Sequence, residues 1–158
     1  MDLLAIFTWF DKSWLGELIR DSTWAFAAIE VVHLLGLTVL LGTITVVNLR
    51  LAGLGLRQQT ASDVAHDAMP WTYFGMAVTM LSGFMLFVSE ALKCYASTPF
   101  YWKMSLLVVS LSLTLGIQRR MANGSAPELS PASGKMLASV TVALWFSVGL
   151  AGRAIAFY

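Results

Sequence analysis

Glu30, His33, Glu90, Lys103 and Arg153 are the residues that could do chemistry, because each stands within or at the edge of a stretch otherwise free of charge. A charged side chain at the centre of a bilayer costs about 2.5 to 3.5 kcal/mol on insertion scales, so each one needs a partner or a purpose. Glu30 and His33 are three residues apart, which on a helix sets them on neighbouring faces. Together with Lys103, Glu90 and Arg153 they could form a polar cluster that binds a cofactor, a quinone or a partner. His33 would then be a proton carrier or a metal ligand. In the plainer reading Glu30 pairs with Arg153 and Glu90 with Lys103, and the charges only hold helices in register. No catalytic residue is indicated, since the chain has no CxxC, no HExxH, no Gly-rich phosphate loop and no nucleophile elbow.

The elements that must position these residues follow from composition. Of 158 residues, 58% are hydrophobic and 12% are charged, about half the charge of an ordinary soluble domain. Mean hydropathy is +0.73. No Lys, Arg, Asp or Glu occurs from Val31 to Leu49 or from Met104 to Gln118, so the bilayer is the expected solvent. A net charge of +1 gives no field for nucleic acid, and a single cysteine, Cys94, excludes a disulfide framework within the chain.

The pattern predicts an all-α integral membrane protein, a four-transmembrane-helix bundle with an N-terminal amphipathic interfacial helix. That first helix occupies residues 1–21, with Leu3, Phe7, Phe10, Trp14 and Leu18 on one face. It begins with an acid and is broken by charges, unlike a secretory signal. The bundle fills 22–158, with spans at about 22–49, 61–92, 101–118 and 135–156. Asp21 or Ser22 caps the first span, and Thr60 with Asp63 forms a capping box for the second. Pro70 predicts a kink or an interfacial turn within the second helix. YASTPF reads as a break, and MANGSAPELSPASG as a surface loop.

Depth arithmetic brings the ionisable groups together. From Ser22, Glu30 lies roughly 12 Å deep and His33 roughly 16 Å deep at about 1.5 Å per residue. Arg153 and the Glu90 and Lys103 pair reach the same half from the other helices. The same arithmetic opposes one haem b held by both His33 and His66, whose depths differ by roughly 17 Å. His66, between Asp63 and Asp67, reads as an exposed residue of a helix start. At the depth of His33 the second helix presents about Met80, more a packing residue than a haem ligand. Gly36, Gly75, Ser82, Gly83 and Gly152 allow close helix approach, and some of them could line a groove for a quinone ring.

The segments IEVVHLLGLTVLLGT (29–43), NLRLAGLGLR (48–57), SGFMLFVSEALKCYASTPFYWKM (82–104) and GRAIAFY (152–158) resemble a bacterial family of small, uncharacterised four-span inner-membrane proteins. The resemblance covers nearly the whole chain after residue 20. It implies that Glu30, His33, Arg50, Glu90, Lys103 and Arg153 stand at the family's polar positions, and it carries no activity. The chain is also similar to the membrane component of bacterial copper-resistance systems, but it lacks the multiple His and Met ligands of a copper pathway.

These readings converge on a membrane-embedded small subunit, accessory or redox-assisting, more a non-catalytic subunit than a self-contained enzyme. The alternatives are a small ion or copper-handling transporter and a purely structural membrane anchor. The expected surroundings are the lipid bilayer of a bacterial inner membrane and a membrane or periplasmic partner protein, or further copies of the chain. Four spans put both ends of the chain on one side. Arg50, Arg57, Arg119, Arg120 and Lys135 mark the opposite side, which the positive-inside rule makes cytoplasmic and the termini periplasmic. Reporter fusions after Gly124 and at the end of the chain should therefore report opposite sides; agreement between them would defeat the four-span arrangement.

Overall fold

The computed structural model describes residues 3–56, 58–124 and 131–157. Arg57 and residues 125–130 of the loop expected between Met121 and Gly134 lie outside them. Within the described residues all regular structure is helical: α1 (Leu3–Asp11), α2 (Trp14–Asp21), α3 (Ala25–Leu51), α4 (Ala61–Ser89), α5 (Ala91–Ala96), α6 (Thr98–Ala122), α7 (Pro131–Ala154) and a final 3-10 turn (Ile155–Phe157). α3, α4, α6 and residues 132–154 of α7 are long and apolar enough to cross a membrane. The chain is an all-α membrane-type bundle of four long helices.

Local chemistry explains the helix ends. Ser22 Oγ accepts a hydrogen bond from Ala25 N, the first amide of α3, at 3.2 Å. The Thr60 hydroxyl accepts from Asp63 N while the Asp63 carboxylate accepts from Thr60 N, a reciprocal box that starts α4. Pro70 lies exposed within an α4 that continues unbroken to Ser89, in place of the expected turn. The segment expected to be one interfacial helix is two. Ser13 accepts from Gly16 N and starts α2 afresh after the bend at Lys12. YASTPF is not a plain break either, because α5 ends inside it and α6 begins at Thr98, with Pro99 in the first turn where its missing N–H costs nothing.

The tightest pairing is α3 against α4. Thr43 meets Thr72 through a 3.1 Å hydroxyl hydrogen bond, Gly75 lies on Leu40, Gly36 lies on Thr79, and His33 meets Ser82. Each step of three or four residues along one helix is answered by the same step backwards along the other, the spacing of a left-handed antiparallel seam. Small residues set its closeness. A methyl group on Gly75 would stand 2.7 Å from Leu40 N, and one on Gly36 would stand 2.8 Å from Thr79 Oγ1.

α6 and α7 close the bundle. α6 packs chiefly on α4 and α7, and α3 on α4 and α7, so α3 and α6 face each other across a diagonal. Three apolar clusters stack along the axis: Phe7, Ala91 and Cys94 at the α5 end, Leu40, Ile44 and Trp145 at mid-depth, and Val47, Val64, Ala65, Ala68 and Met121 at the arginine end. α1 and α2 fold over the α5 end. Phe7 lies edge-on to Phe87 and Tyr95, each at 5.4 Å, and Arg20 donates to the carbonyls of Ser89 and Asp11, completing the C-terminus of α4.

The seam yields a stability prediction. Gly75→Ala should destabilise the purified protein by about 1 to 3 kcal/mol in a thermal or denaturant titration, because the methyl meets backbone that cannot step aside. Gly42→Ala, where nothing lies within 4 Å, should be neutral or stabilising by up to about 1 kcal/mol through helix propensity.

Candidate functional site

The site is built from His33 on α3, Ser82 and Gly83 on α4, Lys103 on α6 and Gly152 on α7. His33 occupies a seam position that elsewhere carries Gly36, Leu40 and Thr43, so its ring is directed at α4 rather than at lipid. Its Nδ1 lies 3.0 Å from Ser82 Oγ. The single hydroxyl proton of Ser82 goes to the Val78 carbonyl at 2.6 Å, so Ser82 can only accept from the imidazole, and the neutral ring carries its proton on Nδ1. The Thr79 backbone is a second hydrogen-bond partner of the ring, and Nε2 is then an acceptor that meets no donor among the described residues. Gly83 makes the room: a methyl group there would stand 3.0 Å from His33 Cε1.

Lys103 is partly buried near the start of α6 and forms no ion pair among the described residues. Its stem lies over Gly152, where a methyl group would stand 3.4 Å from Cε and 3.5 Å from Nζ. The ammonium is within electrostatic range of His33 across the diagonal and of Cys94 on α5. Cys94 is itself buried. Loss of water, reinforced by Glu90, pushes its thiol up to about 11, which keeps it neutral and inert at physiological pH.

The other sequence candidates go elsewhere. Glu30 does not pair with Arg153. The outer seam position falls on Ile29, so Glu30 sits about 100° round the helix and is exposed on the outside of the bundle. The Arg153 guanidinium instead stacks 5.9 Å from the centre of the Phe157 ring. Glu90 does not pair with Lys103 either. α5 supplies a nearer cation, and Glu90 meets Lys93 at 3.2 Å with both side chains substantially exposed, a contact of little energetic weight. Met80 is not at the level of His33 on the seam. Ser82 holds that place, while Met80 is 37% exposed on another face.

His66 is exposed and lies 3.6 Å from Asp67, while Asp63 is held in the capping box. From His66 to Ser82, the neighbour of His33, is roughly 24 Å along α4 at about 1.5 Å per residue. One iron cannot bridge that distance. Among the described residues no three His, Cys, Asp or Glu side chains are grouped to hold a metal ion, so His33 would be a solitary protein ligand beside a cation. Sequence reasoning missed Ser82 as the partner of the imidazole; the seam spacing that starts from Gly36 and Gly75 was the signal that could have found it.

A protein-family model, "Family of unknown function (DUF6644)", matches residues 6–158. The chain belongs to the DUF6644 family. No curated protein and no solved structure matches it, so nothing supports the likeness to copper-resistance components. In this DUF6644 chain the match takes in every candidate residue, His33 and Lys103 included.

Separation of Glu30 from Arg153 gives a direct expectation. Stability losses from Glu30→Gln and Arg153→Gln should add to within about 0.5 kcal/mol in a double-mutant cycle. A coupling well above that would restore the buried pair.

Proposed function

We propose that this protein is an accessory subunit of a bacterial inner membrane that binds a quinone-type head group between His33 and Lys103. The observation that carries the reading is a matched pair of unused groups at one end of the bundle: an ammonium without an acid and an imidazole Nε2 without a donor. A head group with carbonyl and hydroxyl oxygens uses both, one oxygen accepting from Lys103 and one hydroxyl donating to His33. Gly83 and Gly152 let the imidazole and the lysine stem lie close against α4 and α7. Glu30 is within electrostatic range of His33 but exposed, and with Glu90 and Arg153 it would meet a partner protein or the membrane surface.

The arginine end, where Arg50 donates to the Gln59 carbonyl and Arg119 to Tyr73, faces the cytoplasm in this reading, and the ligand end faces the periplasm.

Titration of the nanodisc-embedded protein with a short-chain quinone, read by tryptophan quenching, tests this. Saturable binding should weaken roughly tenfold or more in Lys103→Met and in His33→Gln, the worth of a charge-assisted or buried hydrogen bond. Binding that is absent, or unchanged in Lys103→Met, would overturn the reading. A Soret band in the purified protein would point to haem instead, and stoichiometric copper to ion handling.

A further inference from the structure

A second polar site lies at the arginine end of the bundle, far from His33. Asn48 on α3 and Gln118 on α6 are 6% and 2% exposed, yet Asn48 Nδ2, Gln118 Nε2 and Gln118 Oε1 have no hydrogen-bond partner. Both residues line one small cavity that also touches Thr114 and Thr141, with Ile44 and Ile117 as apolar walls. Its space for the centre of a water molecule is about 10 Å³, roughly what a single water requires.

We infer that this cavity is a binding site for one structural water that ties α3, α6 and α7 together inside the membrane. The donor and acceptor inventory singles out water. Asn48 and Gln118 present amide N–H donors, and Gln118 presents a carbonyl acceptor. Thr141 gives its proton to the Leu137 carbonyl and keeps a lone pair for the cavity. Thr114 accepts from Trp145 Nε1 at 3.0 Å and keeps its own proton. A molecule that accepts twice and donates twice fits such a mixed set, whereas a cation would face the amide N–H groups with no carboxylate among the lining residues. Exchanging the two ends of the Gln118 amide changes nothing, because both are unpartnered. Buried polar atoms left unmet in hydrocarbon are costly, and a bridging water removes that cost without moving a helix.

Three experiments test the inference. In melting experiments on the detergent-purified chain, Asn48→Leu and Gln118→Leu should each lower the melting temperature by about 2 to 4 °C, and the double variant should lose no more than the larger single loss. If the cavity is dry, both leucines fill it and relieve orphaned groups, and both melting temperatures rise, which overturns the proposal. In the unaltered protein, X-ray hydroxyl-radical labelling generates radicals from bound water, so Ile44 and Ile117 should be oxidised despite their position inside the bundle. Absence of that oxidation would also overturn it. Exchange of choline for sodium in the buffer should leave the melting temperature unchanged, and a rise would assign the site to a cation instead.

Discussion

Everything in this bundle hangs on the close approach of α3 and α4. Lipid tails are as apolar as leucine, so no hydrophobic force drives two such helices together, and van der Waals contact at short range must do it. Gly36 and Gly75 permit that contact by letting Thr79 and Leu40 come up against bare backbone. The Thr43–Thr72 hydrogen bond adds a modest polar tie, of the kind worth about 0.6 kcal/mol on average between membrane helices. The same seam carries His33. Its imidazole is pressed toward Ser82 because the helix axes are already close, and its tautomer is set by a hydroxyl whose proton is committed to Val78.

The three apolar clusters divide the interior into compartments. Leu40, Ile44 and Trp145 fill the middle, with Trp145 anchored to Thr114, so the polar groups near His33 and those near Asn48 are separated by packed hydrocarbon. A continuous polar path would need that plug to move. The two proposed sites, between His33 and Lys103 and among Asn48, Thr114, Gln118 and Thr141, therefore stand on opposite sides of that plug.

α1, α2 and α5 form a cover over the α5 end, and their contacts are mostly local neutralisation. Asp11 meets Arg20, Arg20 completes the end of α4, and Glu90 meets Lys93. These pairs leave Lys103, partly buried with its ammonium over Gly152, without an acid among the described residues. The unpaired charge is thus a product of how the cover folds, and no count of charges along the chain would reveal it.

The helical fold class and the four long apolar helices were legible in the sequence because they follow from length, apolar runs and caps, all local quantities. Four uncharged stretches, the Thr60 and Asp63 box and Ser22 as a cap could be read directly, as could the exposure of His66 beside Asp67. Pairing of charges could not. Depth arithmetic assigns a level along the membrane but not an angle around the helix, and about 100° between Ile29 and Glu30 decides whether a carboxylate meets Arg153 or points outward. The break in the first segment, the short α5 that gives Glu90 its partner, and the diagonal placing of α3 against α6 were likewise settled only by packing. Asn48 and Gln118 show the limit most clearly: as single polar residues near helix ends they carry no signal, and they become a site only when three helices enclose them.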